Sequence, residues 1–174
     1  MNNTNIWQDP TALDAILRNM SDALKTVCIT KQIEQPLMVG IHTGGIWIAQ
    51  RLQHLLEISE PLGALDISFY RDDFTRIGLH PLVRPSHLPI AIDDRNIILV
   101  DDVLYTGRTI RAALNALFDY GRPALVLLAV LAVRNGRELP IAPDITGLQI
   151  ELSPDQYLKL EGPEPLSLVL DNAS

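Results

Sequence analysis

The chain of 174 residues has little cysteine, no long apolar run and no excess of positive charge. Its one cysteine, Cys28, cannot close an internal disulfide, and its place in a helical apolar pattern reads as a buried thiol rather than a nucleophile. No stretch approaches the roughly 18 apolar residues of a membrane span. The opening MNNTNIWQDP has no basic region followed by an apolar one, so no signal peptide is expected and the cytoplasm is the expected compartment. Net charge is −7, and the acidity gathers at the end: residues 144–174 carry one basic and six acidic groups. No basic block forms a nucleic-acid stripe. The P-loop pattern with its lysine and the G-x-G-x-x-G dinucleotide fingerprint are both missing, and there is no internal repeat.

What is present suits one domain, residues 1–174, with a full core. Asp9 and Pro10 form an N-cap and first turn for an amphipathic helix through Leu13, Ile16, Leu17, Met20, Leu24 and Val27. Buried strands are predicted at 36–42, 62–71, 96–101 and 124–133, with late strands in LQIEL and LSLVL. Helices are predicted at 44–57 and 109–120, the second stopped by Gly121 and Pro123. Apolar strands alternating with helices give an α/β fold, a mostly parallel sheet covered on both faces. Residues 72–95 break this order, with three prolines, mixed charge and no clear period. A segment of that kind and length is a functional loop or a disordered one, and part of it can form a hairpin.

The chemistry concentrates in IILVDDVLYTGRT, residues 97–109. Ligands of open α/β sheets bind beyond the carboxyl ends of the strands. There this stretch offers Asp101 and Asp102, then a hydroxyl-bearing turn whose successive N–H groups and helix start can cradle an anion. Gly107 allows close approach to the backbone. Paired carboxylates beside a phosphate cradle suit a sugar phosphate: they accept from a ribose diol and help to hold Mg²⁺. Two other readings apply to the acid pair alone, an acidic N-cap at a strand–helix junction and the paired acids of phospho-accepting receiver domains. Neither needs the threonine-rich turn.

The stretch resembles the PRPP-binding motif of type I phosphoribosyltransferases. Together with DISFYRDD and GRPALVLLAVL followed by RELP, it resembles more closely the family of pyrimidine-operon attenuation regulators that double as uracil phosphoribosyltransferases. The similarity runs from about residue 10 to 160. It implies a parallel sheet with a flexible loop near 72–90 and a base-covering hood near 134–165. It implies that uracil and PRPP give UMP and pyrophosphate, with Mg²⁺ held mainly through PRPP rather than by direct protein ligands. Asp101 and Asp102 would contact the ribose hydroxyls and stabilise positive charge on the sugar. Val103 and Leu104 would lead into the cradle formed by Tyr105, Thr106, Gly107, Arg108 and Thr109.

GIHTGGIWIA (40–49) resembles the pyrophosphate loop, which often holds a strained or cis peptide. Thr43 and the N–H groups from Gly44 onward would hold the leaving group; family members often place a basic residue where Gly44 stands. Arg71, Arg76 and Arg84 would be phosphate contacts of the flexible loop, whereas His80 and His87 lack metal-ligand spacing. AVRNGRELP (132–140) resembles the hood motif V-D-R-G-H-R-E-L-P. Arg134, Arg137, Glu138, Leu139 and Pro140 match, while Val133, Asn135 and Gly136 replace Asp, Gly and His. Backbone groups there would read uracil, with Arg134 near the base or pyrophosphate.

The resemblance also implies at least a homodimer and binding of leader RNA when UMP is present. RNA needs a basic face. The first helix sets Arg18 and Lys25 against Asp14 and Asp22, so RNA attenuation is expected to be weak or absent. Two readings stand: a uracil-salvaging enzyme, and a UMP-sensing RNA-binding attenuator with little or no catalysis.

Overall fold

The computed structural model describes residues 5–68 and 86–172. The elements run β1 (Asn5–Gln8), α1 (Pro10–Thr30), β2 (Leu37–Ile41), α2 (Gly44–Leu55), β3 (Gly63–Leu65) and β4 (Asn96–Leu104). They continue with α3 (Arg108–Tyr120), β5 (Leu125–Arg134), β6 (Ile145–Ile150), β7 (Gln156–Glu161) and β8 (Ser167–Asn172). Five strands form a parallel sheet in the order β3-β2-β4-β5-β6. A second, antiparallel sheet has the order β1-β8-β7.

The strands of the main sheet are apolar throughout because helices cover both faces. Pleating divides β4 between two cores: Ile98 and Val100 join Leu13, Leu17 and Met20 of α1 and Ile48 and Leu52 of α2. Ile97 and Leu99 join Ile110, Ala113 and Leu117 of α3 on the other side. Helix α1 begins as its sequence predicts, with the Asp9 carboxylate accepting from the Ala12 N–H at 2.9 Å and Pro10 at the first helical position. Helix α3 ends at Gly121, whose N-side neighbour Tyr120 is its last residue.

Several boundaries differ from the sequence reading. Strand β4 continues to Leu104, three residues past the predicted end at Asp101, because Asp101, Val103 and Leu104 still pair with Val130, Ala132 and Val133 of β5. The two aspartates therefore sit inside the strand rather than beyond it. Of the predicted 62–71 strand, the described residues form strand only at Gly63–Leu65, and residues 69–71 lie outside the described residues. Strands β1 and β7 carry too few apolar residues in a row to declare themselves locally. The second sheet draws β7 from within the span expected for the hood, β8 from beyond it, and β1 from the other end of the chain.

The ends of the long 66–88 segment are tied together. Ala64 and His87 exchange backbone hydrogen bonds at 2.8 and 2.7 Å, and the Asp66 N–H donates to Ser86 Oγ at 2.9 Å. Arg71, Arg76, Arg84 and His80 lie outside the described residues. No helix among the described residues is long and apolar enough to cross a membrane.

Candidate active site

The chain visits β2, then β3 on one side of it, then β4 on the other. The connections leaving β2 and β4 thus diverge, and the cleft between their carboxyl ends is where an open α/β sheet receives a ligand. Two turns line it, residues 42–45 after β2 and 105–107 after β4.

The first turn leads directly into α2. The His42–Thr43 peptide is cis, Thr43 is exposed, and Gly44 and Gly45 are buried. Each glycine is required by a close neighbour. A Cβ on Gly44 would lie 2.2 Å from Oδ2 of Asp102, and one on Gly45 would lie 2.5 Å from the Val100 carbonyl oxygen. The N-terminus of α2 is therefore pressed against the end of β4, with the Asp102 carboxylate at its mouth. No side chain caps this helix end, so its leading N–H groups remain available to an anion.

Alternation along β4 sends Asp102 toward α2 and Asp101 the other way. Asp101 is buried, at 4% exposure, and its Oδ1 accepts from the Asp102 N–H at 3.0 Å. Asp102 is half-buried, and its Oδ1 accepts from the Val103 N–H at 2.8 Å. Each carboxylate thus uses one oxygen to hold the backbone, and the second oxygen of Asp102 faces Gly44.

The second turn bends at Gly107, whose φ of +94° favours glycine. Thr106 Oγ1 accepts from the Arg108 N–H at 3.2 Å. The turn is also strapped to the segment after β5: the Thr106 carbonyl accepts from both Glu138 N–H and Leu139 N–H at 3.0 Å. Arg108 Nε donates to Glu138 Oε2 at 2.9 Å, an ion pair in which both side chains are half-exposed. Gly107 faces Leu139, which an added Cβ would approach to 3.3 Å.

The segment after β5 holds Arg134 and Arg137. Arg134 is buried and reaches Gln156 of β7, Nη1 donating to its carbonyl at 2.8 Å, while its guanidinium carbon stands 4.1 Å from the Tyr105 ring centroid. Arg137 is exposed. Asn135, where the related motif has glycine, exchanges hydrogen bonds with the Leu152 backbone: Nδ2 donates to its carbonyl at 3.1 Å and Oδ1 accepts from its N–H at 2.8 Å. The sequence reading marked Asn135 only as a departure from the motif, because its partner lies seventeen positions away. The structure thus brings Thr43, Gly44, Asp101, Asp102, the 103–109 stretch and Arg134 to one end of the sheet. Such a site can hold two anions, one on each turn, with two carboxylates between them.

A family model for the phosphoribosyl transferase domain matches residues 2–166. A bifunctional protein PyrR of Nitrosococcus oceani is 56% identical over 156 residues, covering 88% of each chain. One of Pseudomonas aeruginosa is 57% identical over 162 residues, covering 91% of this chain and 95% of that one. Among solved structures, a hypoxanthine phosphoribosyl transferase of Trypanosoma cruzi shares the fold with a TM-score of 0.74 at 16% identity, over 98% of this chain and 93% of that one. The type I phosphoribosyltransferase fold that the motif resemblance implies is the fold observed, and the chain belongs to the phosphoribosyl transferase family and, within it, to the bifunctional PyrR proteins.

Proposed function

We propose that the chain is a uracil phosphoribosyltransferase, condensing uracil with PRPP to give UMP and pyrophosphate. The observation that carries this reading is the meeting of Asp102 and Gly44, which joins an acid pair to an uncapped helix start at the switch point of the sheet. The 5-phosphate of PRPP would rest on the Tyr105–Thr109 turn, whose N–H groups converge at a helix start. The ribose hydroxyls would lie against the Asp101–Asp102 pair, with the half-buried Asp102 carboxylate accepting from them. The diphosphate would lie along Thr43, Gly44 and Gly45. Uracil would be read by backbone groups of the 134–137 segment.

In this arrangement the work of the chain is positioning and electrostatics. As the bond from the sugar to the diphosphate loosens, positive charge grows on the ribose ring. Two fixed carboxylates answer it in a partly dehydrated cleft. No basic residue follows Thr43, so on this turn the diphosphate would be held by the N–H groups at the start of α2. Among the described residues no three His, Cys, Asp or Glu side chains could hold a metal together. The donor set still fits Mg²⁺, which favours hard oxygens and takes few protein ligands when it arrives with phosphates. Asp102 is the half-exposed carboxylate available to it. When bound, the ion would offset the negative charge of the departing diphosphate.

UMP formation from uracil, PRPP and Mg²⁺ tests the reading, with other bases alongside and Asp102→Asn as control. Uracil-selective turnover that the variant loses supports it. Absence of turnover with every base overturns it.

The name shared by the relatives supports a second reading, pyrimidine-responsive control of transcription through leader RNA. Charge on the first helix sets a limit on RNA affinity. Lys25 lies 3.9 Å from Asp22, and Arg51 of α2 is answered by Asp14 and Glu164. A mobility-shift assay on the chain's own operon leader, with and without UMP, decides: a UMP-dependent shift at physiological salt supports regulation, and no shift leaves catalysis alone.

A further inference from the structure

Arg134 is an unusual arginine. It is 8% exposed, and no carboxylate among the described residues pairs with it. Among the described residues its Nε–H has no acceptor, Nη1 serves the Gln156 carbonyl, and the guanidinium lies over Tyr105. A buried cation without a counter-ion is costly, and an aromatic face offsets only part of that cost. Tyr105 is no core residue, being 45% exposed. Its ring is confined on another side by Gly136, at φ +105°, where a Cβ would come within 2.5 Å of Cε2. The ring thus lies against both the arginine and a position that has no room for a side chain. Its own backbone belongs to the turn proposed to hold the 5-phosphate.

We propose that Tyr105 and Arg134 form a positioning pair through which the phosphate turn sets the geometry of the base-reading segment. The inference rests on the uracil phosphoribosyltransferase reading and assigns neither side chain a contact with reacting atoms. The stacked ring transmits its position to residues 134–137, and the Gln156 hydrogen bond extends the connection to β7. Base and phosphate are then received by one connected unit. Small misplacements of that unit appear as poor uracil capture, because orientation is easily lost.

The test is a kinetic cycle on the full chain: wild type, Tyr105→Leu, Arg134→Gln and the double variant, with Gly136→Ala as a break that leaves both partners in place. Each change is expected to raise the KM for uracil about tenfold, with the KM for PRPP moving less than about threefold. Because the residues act together, the double variant is expected to stay near tenfold rather than reach about a hundredfold. Parallel rises in both KM values, or single effects that multiply in the double variant, overturn the proposal. Thermal melts check folding. Should Arg134→Gln fail to fold, Tyr105→Leu and Gly136→Ala, singly and combined, carry the same comparison. Absence of wild-type turnover with any base would overturn the enzyme reading instead. The cycle is then read as the Kd for UMP by calorimetry, where a shared loss upholds the pair and multiplying losses overturn it.

Discussion

The two anion-facing turns are built by opposite means. The turn after β4 is held by bonds: the Thr106 carbonyl takes two N–H donors from the 138–139 backbone, Arg108 pairs with Glu138, and Arg134 stacks on Tyr105. The turn after β2 has no side-chain cap and is held by close packing, since Gly44 and Gly45 let α2 abut Asp102 and Val100. A bonded turn spreads its stability over several contacts, so losing one costs little. A turn made by omission fails when a single methyl is added, because the nearest atoms belong to the Asp102 carboxylate and to the strand itself.

The largest effect should come from the group that the two turns share. Asp102→Asn keeps the shape and removes the charge, and kcat should fall at least about a hundredfold in the uracil assay. Gly44→Ala comes next: its methyl must displace Asp102, so kcat/KM for PRPP should fall about tenfold or more. If Gly44→Ala proves silent, the packed turn is softer than its geometry implies and the comparison breaks. Gly45→Ala meets backbone rather than a side chain, so its cost should appear as about 1–3 kcal/mol of stability in denaturant titration. Glu138→Gln removes the Arg108 ion pair from the bonded turn and should alter kcat/KM by less than about threefold, as half-exposed ion pairs contribute little.

Cys28, remote from both turns, serves as a control. Burial pushes its thiol above the ordinary value. Its raised value favours the neutral thiol, a stabilisation present below the unfolded pKa and lost as pH rises through the folded one. Labelling by a thiol reagent near pH 8 should be slower than in denaturant.

Much of this was legible in the sequence, for identifiable reasons. Asp9 and Pro10 announce α1 because capping is local. The IILVDDVLYTGRT stretch declares a strand, an acid pair and an anion cradle because all three are contiguous. The acids were expected past the strand, since a run that turns polar reads as an ending; pairing with β5 carries them inside. Gly44 read as a missing cation, whereas in the fold it is room for Asp102, a fact that depends on a residue fifty-eight positions away. Asn135 and Arg134 depend likewise on Leu152 and Gln156. What composition and period cannot show is which distant residue fills a given space.

The second sheet carries a further consequence. Ile6 sits opposite Val169, so the first strand of the chain pairs with the last. During synthesis, β1 (Asn5–Gln8) must wait for β8 (Ser167–Asn172) to emerge before it gains a partner. Contacts so far apart in sequence form late and carry a high loop-closure cost. Closure of that sheet therefore follows the main sheet: a ribosome stalled between β6 and β8 holds a main sheet without its clasp, and loss of either β1 or β8 opens the same seam.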